Sequence, residues 1–279
     1  MSGFTANTTP LTEGITPEPL DLTITSVTGT VEEYGSYIRY TKTLAQMGIH
    51  KIAAEASNAL GEQAGDSMDL LTRAVLVAET TNVQFANGRA DSDSIAEGDF
   101  LTFTEIMQAV TTLKSNKAVA PSAGKFPAII HPKGVYDLFA DPLMQAVLNY
   151  AKERGDTNPL IRGYLGEAFG VSFWESPNGY HTPNSTPVEV YSTMVLGKGA
   201  FGVGGLASYM PQIVKEQMDK SSHTFETVRP LRLLDKPFGS SGTADPFDRL
   251  ASIAWYTTFV AQVLDATFYV RIEHDTAIT

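Results

Sequence analysis

Between Ile49 and Ala78 the sequence carries two interleaved stripes that constrain the fold more than any other feature. Ile49, Ile52, Ala56, Leu60, Ala64, Met68, Leu71, Val75 and Ala78 recur at spacings of three and four. Lys51, Glu55, Asn58, Glu62, Asp66, Asp69 and Arg73 recur at the same spacings, out of phase with the first set. One apolar and one polar stripe in step with the helical period predict a single amphipathic helix of about 45 Å, at ~1.5 Å per residue. Gly61 and Gly65 interrupt it, at about 1 kcal/mol each relative to alanine, so another backbone is expected to pass close by. A rod of that length overruns a compact small domain and predicts an elongated or flat molecule.

Around this rod the pattern is mixed. Residues 1–20 hold Pro10, Pro17, Pro19, Gly3 and Gly14 among many threonines, which predicts an extended, irregular arm. Leu22, Ile24 and Val27 interleave with threonines, and Tyr37 to Tyr40 resume the alternation, so 21–41 reads as β, with bends or bulges at Gly29 and Gly35. A Gly/Asp/Ser-rich loop (87–99) precedes Thr102-x-x-Glu105, a capping box opening a helix through Ile106, Ala109, Val110 and Leu113. Phe126–Ile130 reads as a buried strand. His131-Pro132 then opens a short helix through Tyr136 and Phe139, and Asp141-Pro142 opens another. Val171–Trp174 and Val188–Leu196 read as strands flanking a Pro/Asn/Gly loop, Ser176–Pro187. Near the end, Ile253–Leu264 is apolar on both faces, and Phe268, Val270 and Ile272 are expected inward with Arg271 and Glu273 outward. The class is α+β, without regular βαβ alternation or an internal repeat.

Composition narrows the chemistry. The 279 residues carry 43% hydrophobic and 18% charged side chains, enough apolar material for a sizeable core. No cysteine is present, which removes disulfides, thiolate metal sites and thiol nucleophiles. A net charge of -11 argues against a broad grip on nucleic-acid phosphates. No apolar run approaches the roughly 20 residues of a membrane span, and with Arg39 as the first basic residue no secretory signal is read. Cytoplasmic synthesis and no membrane partner are the expectation.

No motif builds a catalytic site, and no cofactor or metal is expected. Gly197-Lys198-Gly199-Ala200-Phe201-Gly202 fits G-x-G-x-x-G after a strand. Gly204, Gly205 and Pro211 would break the helix that a dinucleotide site needs, and no strand pattern ends near Asp219, so a turn between packed strands is the better reading. The histidines at 50, 131, 181, 223 and 274 are dispersed in sequence, with His131 read as a capping or packing residue. Asp91 and Asp93 suggest a calcium loop, but Ala96 stands where it needs glycine. Glu62, Asp66 and Asp69 share a helix face, with Asp69 and Arg73 at i,i+4. They read as a solvated or partner-facing stripe rather than an acid/base pair.

Several segments taken together resemble the N-four-type major capsid proteins of tailed bacteriophages. They are Thr9-Pro10-Leu11-Thr12-Glu13-Gly14-Ile15-Thr16-Pro17, Glu33-Tyr34-Gly35-Ser36-Tyr37 and Leu60-Gly61-Glu62-Gln63-Ala64-Gly65-Asp66. Ile129-Ile130-His131-Pro132, the Leu196–Gly202 run, Asp245-Pro246 and Val270-Arg271-Ile272-Glu273 follow in family order. The resemblance implies the Hong Kong 97-like capsid fold, with an extended loop, a spine helix in a peripheral domain, and an axial domain. It divides the chain into 1–45 (N-terminal segment and extended loop), 46–125 (peripheral domain with spine helix), 126–235 (axial domain) and 236–279 (strands returning to the peripheral domain).

It further implies a non-enzymatic shell protein that forms hexamers and pentamers of itself, located in the virion and assembled in the host cytoplasm around double-stranded DNA. Scaffold, portal and decoration proteins would be further partners. Contact residues, taken from the loop tip and the polar stripe, are Leu11, Ile15, Glu55, Glu62, Asp66, Asp69 and Arg73. Only eight residues precede Thr9, fewer than the family's arm and outgoing loop strand need. With no lysine before Lys42, covalent cross-linking from a loop lysine is not expected. The alternatives are an encapsulin-like compartment shell and a cytosolic nucleotide-dependent enzyme built on the Gly197 motif.

Overall fold

The structure, a computed structural model, describes residues 8, 10, 13–14, 26–47, 52–121, 124–146, 167–168, 170–185, 188–205, 231–240 and 244–278. In chain order these form β1 (Glu32–Thr41), α1 (Lys42–Met47), α2 (Ile52–Ala78), β2 (Val83–Phe85), α3 (Phe103–Ser115), β3 (Phe126–Ile130) and α4 (Pro132–Ala140). There follow β4 (Glu167–Ala168), β5 (Val171–Glu175), β6 (His181–Pro183), β7 (Glu189–Leu196), β8 (Phe201–Gly204), β9 (Leu231–Lys236), β10 (Leu250–Val263) and β11 (Tyr269–His274). Residues 142–146 are helical, opened by Asp141, whose Oδ1 accepts from Leu143 N at 2.9 Å.

Two sheets share these strands. In the first, β10 is the centre: β1 runs antiparallel along one edge, from Glu32↔Phe259 to Thr41↔Leu250, while β9 and β8 divide the other edge. The second has the order β2-β11-β7-β3-β5-β4, with β6 also on β7. It is mixed, since β11 runs parallel to β2 and antiparallel to β7, and β3 runs parallel to β5. The α3 residues Ile106, Ala109, Val110 and Leu113 are buried in one cluster with Phe126, Ala128, Ile130, Val270 and Ile272 of this sheet. The Thr102/Glu105 box behaves as its spacing predicts, because the Glu105 carboxylate accepts the N–H of Thr102 at 3.0 Å and of Asn87 at 2.8 Å.

The long helix is present and links the two sheets. Ala56, Leu60 and Ala64 pack on Ile253 and Trp255 of the first, and the Trp255 indole N–H donates to Gln63 Oε1 at 3.1 Å. At the other end Leu76 packs with Met194, Leu196 and Tyr269 of the second. At about 100° per residue, Leu76 lies roughly 160° round the axis from Leu60. The buried face therefore changes sides along the helix, and the single apolar stripe read from sequence holds only for its first half. Met68, Leu71 and Val75 are half-buried and Ala78 is exposed, so the C-terminal core contact falls to Leu76 instead.

Other expectations are corrected. Nothing among the described residues lies within 4 Å of a Cβ added at Gly61 or Gly65, so the expected close backbone is not found there. Gly35 makes no bulge; it sits in register opposite Tyr256, where an added Cβ would lie 2.8 Å from Trp255 O. The β signal starts late, with 26–31 outside any strand, while Leu22 and Ile24, like Ile49, lie outside the described residues. β10 alternates instead of burying both faces, placing Ala251, Ile253, Trp255, Thr257, Phe259 and Ala261 inside. Arg271 and Glu273 do not face outward. Both are buried, paired Nη2 to Oε1 at 3.0 Å, and Arg271 Nη1 donates to Val77 O of α2 at 2.6 Å. Sheet alternation puts them on the face covered by α2 rather than by solvent. The 176–187 loop contains the short β6.

Candidate functional site

The polar stripe of α2 is the first candidate. Glu55 and Glu62 are exposed, and Leu11 and Ile15 lie outside the described residues. Asp66 and Asp69 converge on one partner, since Asn178 Nδ2 donates to Asp66 Oδ1 at 3.3 Å and to Asp69 Oδ2 at 3.0 Å. Arg73 turns to the same residue instead of to Asp69, donating from Nη1 to Asn178 O at 2.6 Å, with its guanidinium carbon 5.8 Å from the Tyr180 ring centre. The stripe is thus only partly solvated. Its last three members anchor the 178–180 loop, whose Pro/Asn/Gly composition had marked it only as a loop.

Beside this anchor lies a cleft of about 350 Å³ lined by Met68, Thr72 and Leu76 of α2, by Ile129, Ser192 and Met194 of the second sheet, and by Phe201, Val203 and Phe259 of β8 and β10. Its lining is mainly apolar. Two of its lining residues, Arg73 and Ser192, each also carry a buried polar atom, Nε and Oγ, that has no hydrogen-bond partner among the described residues.

The glycine motif has the wrong geometry for a nucleotide. Gly197 N donates to Phe268 O at 2.7 Å, Ala200 N returns to Gly197 O at 3.3 Å, and Gly199 holds φ +81°. Gly202, which ought to open a helix, lies inside β8, so no helix N-terminus meets a pyrophosphate. The turn is tight for a packing reason: a Cβ on Gly197 would stand 2.6 Å from Phe268 O. Asp219 lies outside the described residues.

Three histidines that sequence spacing left apart meet around Tyr191. Ring centres of His131, His181 and His274 lie 4.8, 5.4 and 6.4 Å from that of Tyr191, and Lys133 Nζ is 5.5 Å from it. His131 caps α4, its Nδ1 accepting from Lys133 N at 3.2 Å. Its pKa is lowered by burial first, then by His181 and Lys133. His181 Nδ1 lies 3.5 Å from Glu189 Oε2. His50 and His223 lie outside the described residues. No group of three or more His, Asp or Glu among the described residues is placed to hold a metal ion, and no described helix is long and apolar enough to cross a membrane.

His274 is fully buried. Its Nδ1 is 2.9 Å from Asp275 O, which can only accept, so Nδ1 carries the proton and Nε2 accepts from the Thr193 hydroxyl at 3.0 Å. Burial lowers its pKa from 6.5 to about 4. Between those values the unfolded chain binds the extra proton, so stability rises with pH and is lost as pH falls toward 4, by about 3 kcal/mol in all. The slope of unfolding free energy against pH over this window is expected to flatten in His274→Gln. An unchanged slope would show that other groups carry it, the raised carboxyls of Glu105 and Asp137 acting in the opposite sense.

Comparison with solved structures decides the fold. The capsid protein of Ralstonia phage GP4 superposes with TM-score 0.64 at 11% identity, covering 89% of this chain and 74% of that one. The cyanophage Pam1 capsid gives TM-score 0.63 at 13% identity over 90% and 76% of the two chains. The fold is the Hong Kong 97-like capsid fold. Within the same fold, the SrpI encapsulin of Synechococcus elongatus PCC 7942 is similar at TM-score 0.52 and 10% identity, covering 89% of this chain and 75% of that one. No protein-family model matches the sequence, and no curated protein matches it.

Proposed function

We propose that the chain is a major capsid protein whose copies close into an icosahedral shell around phage double-stranded DNA. The observation that carries this is a Hong Kong 97-like fold spanning about nine-tenths of the chain, shared with capsid proteins of several phages. On this reading α2 is the spine helix, residues 1–45 hold the extended loop, 46–125 and 236–279 make up the peripheral domain, and 126–235 is the axial domain. The chain performs no turnover and resides in the virion after assembly in the host cytoplasm.

Hexamers and pentamers would meet through the loop tip (Leu11, Ile15) and the α2 stripe (Glu55, Glu62, Asp66, Asp69, Arg73). Scaffold, portal and decoration proteins are further candidate partners. Interfaces of about 1,600 Å² are individually ordinary, and several per subunit add through multivalency. The charge of -11 opposes assembly only over a Debye length of about 8 Å at physiological salt. DNA is then confined by the wall instead of being gripped.

Negative-stain microscopy of the expressed full chain, alone and with its neighbouring head genes, is expected to show closed particles of uniform diameter. Persistence as a monomer in every combination would count against a shell. The encapsulin likeness supplies a second reading, a protein compartment, which the particle contents separate: packaged DNA indicates a virion and a protein cargo a compartment.

A further inference from the structure

We propose that His131 is an acid-released latch between α4 and α2. While its ring is neutral it caps α4 and holds the 176–183 segment in place. Once protonated it can no longer cap, and the segment loosens. The latch does not depend on the chain building a shell.

Three contacts build it. Nδ1 of His131 accepts from Lys133 N at 3.2 Å, so the ring satisfies one of the N–H groups that the first turn of α4 leaves without an intrahelical partner. Its body meets Gly179, where an added Cβ would stand 2.8 Å from His131 Cβ and 3.3 Å from its Cδ2. Its ring centre lies 4.8 Å from that of Tyr191 and 6.1 Å from that of His181. Asn178, beside Gly179 in the chain, carries the anchor to Asp66, Asp69 and Arg73 of α2. The cap of α4 and the anchor on α2 are therefore adjacent, and a ring that shifts at His131 moves the loop that holds both.

Most N-caps are serine, threonine, aspartate or asparagine, whose oxygens accept a hydrogen bond throughout the neutral range. A histidine cap differs, because its acceptor nitrogen is also its basic atom. Since Nδ1 accepts here, the proton of the neutral ring sits on Nε2, and a second proton turns the acceptor into a donor that faces a donor. It also places a positive charge at a helix N-terminus, where the dipole disfavours it.

The surrounding charges act mainly the same way. Burial disfavours a cation at His131 first, followed by His181 of β6 and Lys133 of α4. Glu189 of β7 favours one, but its Oε2 lies 3.5 Å from His181 Nδ1 and is shared with that ring. His274 of β11 packs against the first turn of α4 at Gly134 and stays neutral until pH falls toward about 4. Beyond Gly179, the charges of Asp66, Asp69 and Arg73 are gathered on Asn178. With its folded pKa below the ordinary 6.5, His131 binds its extra proton more tightly in the loosened form. The latch is thus closed above that value and releases as pH falls below it.

Hydrogen exchange read by mass spectrometry on the full-length, unassembled chain tests this, with each rate corrected for the intrinsic chemical rate at that pH. Between pH 7 and pH 5 the corrected exchange of 176–183 is expected to rise about fivefold, the factor that loss of an N-cap corresponds to. His131→Asn supplies a cap that does not titrate and is expected to abolish the rise. His181→Gln is expected to keep it and move its midpoint to higher pH, because a neighbouring cation is gone, and His274→Gln is expected to leave it in place. NMR titration of the His131 ring in the wild type needs no variant: its midpoint is expected below 6.5, with the Lys133 amide shifting in step. Absence of the rise in the wild type, its persistence in a folded His131→Asn, or its loss in His181→Gln or His274→Gln overturns the latch. A Lys133 amide that ignores the His131 titration overturns the capping mechanism.

Discussion

Replacing Arg271 by alanine is expected to lower the unfolding free energy by about 3–5 kcal/mol, the usual cost of removing one partner of a buried ion pair. Arg271 is 7% exposed and Glu273 5%, and they meet at 3.0 Å. Glu273 Oε2 already lacks a partner, so the substitution strands a whole carboxylate in the interior. It also takes away the donor at 2.6 Å to Val77 O, one of the last carbonyls of α2, which no later turn of the helix can satisfy. The double variant Arg271→Met with Glu273→Leu isolates the cause. A well-packed apolar pair is often neutral to stability, so the double variant should recover most of the loss. Urea titration of the unassembled subunit measures both. A loss below about 1 kcal/mol in the single variant would mean that the pair behaves as a solvated one.

Trp255→Ala should produce a loss of similar size, about 3–5 kcal/mol, at the opposite end of α2. The ring is 4% exposed and fills the contact between β10 and Ala56, Leu60 and Ala64. Ala56 and Ala64 let the sheet approach closely and have no side chain to swing into the void, so much of the cavity persists. The variant also loses the indole bond to Gln63 Oε1 at 3.1 Å, where water can replace the donor because Gln63 is exposed. Trp255→Phe keeps most of the packing and loses only the hydrogen bond, with an expected cost of about 1 kcal/mol for that bond beyond a small volume change. Denaturant midpoints of the three proteins order them. Equal stability of Trp255→Ala and the parent would show that α2 does not depend on this contact.

Local signals were legible and non-local ones were not. The capping box at Thr102, the His131 cap and the Asp141-Pro142 start depend on neighbours within a few residues, and each stands where the spacing puts it. α1 escaped notice because six residues are too few to show a period. Arg271 and Glu273 were misplaced because alternation shows which residues share a face, not whether a helix covers that face. The same blindness applies to the candidate site. Asp66, Asp69 and Arg73 stand out in sequence as a stripe, but Asn178, more than a hundred residues away, gathers them. Ser192 carries no sequence signal at all, being one polar residue in a buried strand. Among the described residues, the glycines at 61 and 65 mark a smooth, open strip of helix surface.

The change of sides along α2 fixes the helix's length as firmly as its composition. Each end is keyed to a different sheet, so deleting or inserting one residue between Ala64 and Leu76 would swing one key by about 100° and turn its leucine away from its lock. Side-chain swaps on the exposed strip leave this phase intact. Among descendants of this sequence, drift in α2 should therefore run to substitution and almost never to indels, while surface loops accept both.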